Sequence, residues 1–232
     1  MTGMTGSNRG WVEVPSVSCP AGRVQIAAGL GWVEPGRTAI VPGLSLETGD
    51  KADVMRGEEV QILGALAAGI IPAHCVLCHP GTHNKWVRVT GGRIVSFRTV
   101  MTGELFSLLK AHSILADLLC APSVPNEAFA SGVRHGLRHD DLTAEIFSVR
   151  ARVLLGKADR EDAASYTSGL LIGSDLRIGL RFAGSDEIVV MGRPDLTALF
   201  AAALGHAGRF ARQVDGEEAF LAGVKHLAEL VR

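Results

Sequence analysis

The sequence predicts an α/β fold, and three stretches carry that prediction. "KWVRVTGGRIVSF" (85–97) holds two alternating apolar and polar runs on either side of Gly91-Gly92, the pattern of antiparallel strands joined by a two-residue turn. "EIVVMG" (187–192) is an apolar run ending in glycine that feeds "RPDLTALFAAAL" (193–204), a buried strand handing over to a helix. Residues 56–71 place Ile62, Leu63, Leu66, Ala67 and Ile70 on one broad face, which is helical spacing.

Taken in chain order, "MTGMTGSNRGWVEVP" (1–15) is rich in turn residues without a leading strand or a capped helix, and reads as a truncated edge. "AGRVQIAAGL" (21–30) has helical spacing, "RTAIVPGLS" (37–45) is a short β run closed by Pro42-Gly43, and "LETGDKAD" (46–53) reads as a polar loop. The 56–71 helix follows, with Glu58 and Glu59 in its first turn where the helix dipole favours them. "HCVLC" (74–78) predicts a short buried strand. After the hairpin, Thr102 is placed to N-cap a helix that begins at Gly103-Glu104 and runs through Leu105, Leu108, Leu109 and Leu115. Further helices are predicted at about 141–155, 160–181 and 195–206, and the last helix opens on "DGEE", with Asp215 and Glu218 at capping-box spacing. No repeat, low-complexity tract or flexible linker interrupts the chain. A lobe boundary near Pro72 to Pro80 would therefore be a hinge within a compact body.

Composition removes several classes of function. A chain of 232 residues that is 47% hydrophobic can bury a core for one large or two small domains. Its net charge of −1 and scattered basic residues give no phosphate-tracking surface, so no nucleic acid is expected as a partner. The most apolar stretch, "ILGALAAGII" (62–71), ends at Pro72 and is shorter than the ~20 residues a bilayer requires. No basic segment precedes an apolar one at the start, so no membrane partner is expected and the compartment is the cytosol. The four cysteines, Cys19, Cys75, Cys78 and Cys120, are too few for a disulfide scaffold and read as reduced thiols, mostly buried.

Five motifs carry possible chemistry, each beside a plainer explanation. "HCVLCH" (74–79) has haem-attachment spacing and, with His83, zinc-type ligands. A strand would send Cys75 and Cys78 to opposite faces, however, and no second ligand pair occurs, so incidental thiols in a buried strand account for it. "GLGWVE" (29–34) begins like a dinucleotide fingerprint but has Glu34 at the third glycine, and there is no P-loop. "PGTHNKW" (80–86) is either a bare turn or a rim on which Gly81, Thr82, Asn84 and Lys85 present N–H, hydroxyl and ammonium groups to a phosphate. "KADVMRGEEVQ" (51–61) is either a solvated helix start or a site in which Asp53 acts as a general base and Arg56 neutralises an anion. In "SGLLIGSDLRIGL" (168–180), Gly169 and Gly173 lie one turn apart, which suits a close helix contact as well as a ligand.

In order, "GSNRGWVEVP", "CPAG", "IVPGLS", "DVMRGEEVQILGAL", "PGTHNKWVRVTGGRIVSFRTVMTGELF", "FSVRARVL", "SGLLIGSDLR" and "VVMGRPDL" resemble the 2-dehydro-3-deoxygalactonokinase family from about Gly6 to the C-terminus. The resemblance implies an actin-like ATPase fold of two ribonuclease-H-like lobes, here with a truncated N-terminal lobe. Residues 1–73 would be the remainder of the substrate lobe and 74–232 the nucleotide-binding lobe. The implied reaction is ATP-dependent phosphorylation of the terminal hydroxyl of 2-dehydro-3-deoxy-D-galactonate, with Mg²⁺ bridging the phosphates. The implied partners are a sugar acid and ATP, and a homodimer is the expected assembly.

The resemblance also distributes roles. "PGTHNKW" is similar to a second phosphate-binding loop, with Gly81 and Thr82 on ATP. Thr102 and Gly103 of "MTGE" would form the floor of the nucleotide cleft, and Gly192 would let the adenosine approach. The helices of "MRGEEVQILGAL" and "SGLLIGSDLR" would touch at a hinge through small residues, bringing Gly169 and Gly173 to the nucleotide. Asp53 is the implied base, with Glu58 nearby. Asn8, Arg9, Trp11, Arg56 and Lys85 would meet the sugar acid, Arg9 at its carboxylate. No metal ligand is assigned. The family's Asp-x-Gly-Thr first phosphate loop is not found ahead of Met1. The rival expectations are a non-catalytic relic of the family, or a haem or zinc module built on "HCVLCH".

Overall fold

The structure is a computed structural model that describes residues 1–231. At its centre is a five-stranded mixed sheet built from β6 (Cys75–His79), β7 (Asn84–Thr90), β8 (Arg93–Val100), β9 (Ile188–Gly192) and β10 (Ala211–Asp215), in the order β10-β9-β6-β7-β8. The first three form an antiparallel meander, while β9 and β10 join parallel to β6 through helical crossovers. Both glycines of the Gly91-Gly92 turn have positive φ (59° and 70°), as the two-residue hairpin requires.

The pleat sends alternate residues to two cores. Cys75, Leu77, Val87, Val89, Val189 and Met191 face a cluster completed by α1 (Arg23–Ala28), α2 (Glu58–Ala67) and α8 (Gly216–Leu230). Val76, Cys78, Trp86, Ile188 and Val190 face the opposite cluster, closed by α4 (Glu127–Arg138), α6 (Ala163–Ala183) and α7 (Pro194–His206). A third cluster lies where α6 meets α5 (Leu142–Leu154) and the segment after α3 (Thr102–His112). Ahead of α2, β1 (Val17–Ser18), β4 (Leu44–Thr48) and β5 (Lys51–Met55) form a small sheet in the order β1-β4-β5, beside a hairpin of β2 (Gly31–Glu34) and β3 (Thr38–Ile40).

Four local expectations are corrected. Residues 46–53, expected as a polar loop, belong to the β4/β5 hairpin. Leu44 pairs with Met55 at its buried end while the polar residues occupy the exposed end. The predicted 56–71 helix is shorter, because Gly57 precedes it and Gly69 turns away at φ 68°. α4 was not foreseen; Asn126 caps it by accepting from the Phe129 N–H at 3.0 Å. Finally, the two glycine-bearing helices do not pack on each other. α2 lies along α8 and α6 lies along α4. A Cβ on Gly169 would stand 2.1 Å from the Phe129 carbonyl oxygen, and one on Gly173 would stand 2.4 Å from that of Val133. Gly169 and Gly173 therefore serve close helix packing against α4.

Candidate active site

Open α/β sheets bind ligands beyond the carboxyl ends of their parallel strands. Here β6 runs out at His79 into Pro80-Gly81-Thr82, β9 ends at Gly192 and enters α7, and β10 ends at Asp215 and enters α8. Asp215 caps α8 by accepting from the N–H groups of Glu217 (2.7 Å) and Glu218 (3.2 Å). Two cavities flank the Pro80-Gly81 turn. One, of about 90 Å³, is lined by Gly81, Thr102, Gly103, Phe106, Ser168 and Phe200 among others. The other, of about 370 Å³, is lined by Gln61, His79, Pro80, Gly192, Arg193 and Asp215 among others. The sequence-predicted Gly81, Thr102 and Gly103 thus converge on one cavity, while Gly192 borders its neighbour.

The turn rests on the start of α3. The Glu104 N–H donates to the Thr82 carbonyl at 2.9 Å. A Cβ on Gly103 would lie 2.5 Å from the Gly81 carbonyl oxygen and 2.9 Å from the Thr82 Cα, whereas one on Gly81 would meet nothing within 4 Å. Gly103 is therefore fixed by backbone contact, and Gly81 faces open space where a ligand could approach. Gly103→Val is expected to push the turn off α3 and cost about 1–3 kcal/mol of stability by overpacking. Urea unfolding checks this, and unchanged stability would mean that the turn yields without strain.

Beneath the turn lies a buried carboxylate. Asp175, on α6 and 1% exposed, accepts from Asn84 Nδ2 (2.8 Å) and Trp86 Nε1 (2.7 Å) and from the Thr102 hydroxyl. Thr102 is consequently not the N-cap of α3. It is the first helical residue, and its hydroxyl turns inward. Burial raises the Asp175 pKa to about 6, and the three donors oppose that rise. With its acceptor capacity taken up in this way, Asp175 locks β7 and α3 to α6 and fixes both ends of the 80–103 segment. Asn84, read from the sequence as a rim group, is fully buried in this network.

On the opposite face, Asp53 sits in the middle of β5 and not just ahead of the helix. Its Oδ1 accepts from the Val54 N–H (2.8 Å) and the Thr99 hydroxyl (2.6 Å), and its Oδ2 from the Thr99 N–H (2.7 Å). Lys85, 5% exposed, donates to Thr99 Oγ1 (2.8 Å) and the Val54 carbonyl (3.2 Å). Asp53 and Lys85 are thereby joined through Thr99 into a clamp between β5 and β8. Arg56 donates through Nη2 to the Val14 carbonyl (2.8 Å), while its buried Nη1 has no partner and lies 2.8 Å from where a Gly6 Cβ would be. It ties the start of α2 to the 3–14 turn. From that turn Asn8, Arg9 and Trp11 project into solvent.

The start of α2 supplies two carboxylates of opposite character. Glu59 is fully buried; its Oε2 accepts from the Gly57 N–H (2.6 Å), its Oε1 has no partner, and burial pushes its pKa to about 8. Glu58 is half-buried, and its charge acts on His79 against the burial that lowers the imidazole pKa. His79, held neutral by burial, is 2.8 Å from Gln61 Oε1, to which its Nε2–H donates. Asp175, Glu59 and the His79–Gln61 pair were not singled out from the sequence, because each depends on partners 18 to 91 residues away or on burial alone. Glu59 alone left a trace, as one of two adjacent acids at a helix start.

"HCVLCH" forms no metal centre. Cys75 and Cys78 enter opposite cores, burial raises the Cys75 pKa to about 12 and that of Cys78 well above its usual value, and His74 Nε2 accepts from the Gly91 N–H. Among the described residues no helix is long and apolar enough to cross a membrane.

Comparison with known proteins places these features in a lineage. Residues 1–227 match the family described as 2-keto-3-deoxy-galactonokinase. The chain is 38% identical to the 2-dehydro-3-deoxygalactonokinase of Escherichia coli (strain K12) over 232 residues, covering all of this chain and 78% of that protein. It is also 38% identical to a Rhizobium meliloti (strain 1021) protein named as a probable 2-dehydro-3-deoxygalactonokinase, covering 99% of this chain and 77% of that one. The crystal structure of a candidate 2-dehydro-3-deoxygalactonokinase from Sinorhizobium meliloti superposes with a TM-score of 0.91 at 36% identity, over 99% of this chain and 78% of that one.

Proposed function

Because the chain belongs to the 2-keto-3-deoxy-galactonokinase family, we propose that it transfers the γ-phosphoryl group of ATP to the terminal hydroxyl of 2-dehydro-3-deoxy-D-galactonate, giving the 6-phosphate in galactonate breakdown. The observation that carries this is the open Gly81-Thr82 turn seated on the N-terminus of α3, at the carboxyl ends of the parallel strands. Backbone N–H groups there, with the positive end of an 11-residue helix, suit a polyphosphate. The Thr82 hydroxyl adds a donor. The apolar wall of Phe106 and Phe200 beside Gly81, and the Gly192 exit across the turn, provide surfaces for the purine and ribose.

The finer architecture we infer is an actin-like ATPase of two ribonuclease-H-like lobes, divided at residues 73 and 74, with α2 as the connecting helix. The five-stranded mixed sheet of the second part and the separate small sheet of the first support that division. The sugar acid would then lie between the 7–11 loop and the start of α2. Arg9 meets its carboxylate, and Asn8 and Trp11 meet its chain. Arg56 and Lys85 act one layer back, holding Val14 and β5 in place.

Glu58 is the base in this scheme. It is the half-buried carboxylate at the head of α2, whereas the Asp53 oxygens already accept three hydrogen bonds and Glu59 is sealed in the core. Mg²⁺ suits the site as an ATP-borne ion: it favours phosphate and carboxylate oxygens, and the partly exposed Glu104 carboxylate borders the turn beside His83. When bound, it supplies neutralisation of the phosphate charge.

The test is a coupled ADP-release assay with ATP, Mg²⁺ and 2-dehydro-3-deoxygalactonate, run on this chain and on one extended upstream of its Met1 codon. ADP release that depends on the sugar acid, with formation of the 6-phosphate, is the expected result. Folded protein that binds ATP but releases none in either form would make it a binding protein instead.

A further inference from the structure

We propose that His135, His139 and Glu145 form a binding site for a zinc-class divalent transition-metal ion that clamps the end of α4 to the start of α5. His135 lies in the last turn of α4 and His139 four residues on, at its C-cap, so both imidazoles leave the same side of the helix. Their rings stack with centroids 4.3 Å apart and planes inclined at 24°. Glu145, in the first turn of α5, brings its carboxylate across. The three ligand atoms all lie within 4.8 Å of one another, so small side-chain rotations would bring them to one ion.

Two further observations favour a metal over a simple ion pair. His135 Nε2 stands 2.6 Å from Glu145 Oε2, yet it is a buried nitrogen without an aligned hydrogen bond. The pair is close but not aligned as a hydrogen bond, and a small separation of the two atoms would admit an ion between them. In addition, the hydroxyl of Tyr166, a residue only 7% exposed, has no partner. Its ring centre is 6.4 Å from that of His135. A buried hydroxyl beside the cluster can accept from a metal-bound water or complete the ligand set. The Ser148 hydroxyl, 2.8 Å from the Glu145 carbonyl and 3.2 Å from Glu145 Oε2, shares its proton between them and borders the carboxylate as an outer contact.

The ligand set selects the ion class. Two imidazoles and one carboxylate suit zinc and its neighbours, while Mg²⁺ and Ca²⁺ prefer all-oxygen sites. Arg152, whose guanidinium lies 4.9 Å over the Tyr166 ring, adds a positive charge nearby. Only tight coordination by neutral imidazoles would hold a cation against it.

The experiment uses the untagged full chain stripped of metal, titrated with Zn²⁺ by calorimetry and with Co²⁺ by visible absorption. The expected result is one equivalent bound in the micromolar range or tighter, with tetrahedral Co²⁺ bands. His139→Ala, at an exposed position, should weaken binding by more than about 100-fold, beyond what the loss of an outer-shell partner causes. Glu145→Gln should do the same, while Cys120→Ser should bind as before. Absence of saturable binding, or stoichiometric binding that survives His139→Ala, would overturn the proposal.

Discussion

Glu58→Gln is expected to lower turnover by about 10²–10⁴-fold, the usual contribution of a positioned general base, with ATP affinity little changed. Asp53→Asn should leave turnover within about 10-fold and act mainly through stability, since it alters the Asp53–Thr99–Lys85 clamp between β5 and β8. The contrast rests on availability. A base must have a free oxygen facing the hydroxyl it deprotonates, and the Asp53 carboxylate already accepts from two N–H groups and a hydroxyl. Glu58 sits half-buried where α2 begins, next to Gly57, which approaches Gly3 of the N-terminal turn within 3.5 Å of its own Cβ direction. Steady-state rates of both variants, with calorimetric ATP binding and a melting curve for each, separate chemistry from folding. If Asp53→Asn were the inactive enzyme and Glu58→Gln the active one, the base would have to be reassigned to β5.

The strands and helices that sequence periodicity exposes are those whose burial is regular. Gly91-Gly92 between alternating runs, the apolar 187–192 run and the Asp215 cap are each local patterns, and each is present in the fold. The seating of the 80–82 turn on the start of α3 was legible for the same reason, because Gly81, Thr82 and Gly103 lie within 23 residues and meet across one hairpin. What was misread depends on distant partners. "LETGDKAD" is polar because its hairpin buries only one end, and Gly169 and Gly173 look free until α4 is laid against them. The partners of Asp53 and Asp175 were hidden from the sequence on the same principle. An acid near a helix start looked catalytic but is held by Thr99, and an acid inside a glycine-rich helix passed unremarked but gathers β7 and α3 onto α6. Neither can be told from composition, because a carboxylate takes its role from the donors around it.

The same dependence on surroundings predicts how the protein answers to pH. Glu59, with its ordinary pKa of 4.5 raised to about 8 by burial, holds a proton in the folded chain that the unfolded chain has released throughout that interval. Its stabilising contribution is complete below pH 4.5 and is lost as pH rises through 8, at about 1.4 kcal/mol per pH unit. Asp175 behaves likewise between 3.8 and about 6. His79 runs the other way: its pKa is lowered from 6.5 by burial, so its contribution is present above 6.5 and lost as pH falls. Below pH 6.5 these groups oppose one another, and from 6.5 to 8 Glu59 alone remains. Urea unfolding is therefore expected to show roughly 2 kcal/mol less stability at pH 8 than at pH 6.5. Glu59→Gln should abolish that slope, since an amide of the same shape can still accept from the Gly57 N–H without an ionisation to oppose. An unchanged slope in the variant would mean that Glu59 is ionised in the folded protein, and that its unpartnered oxygen has found a cation or water within the core.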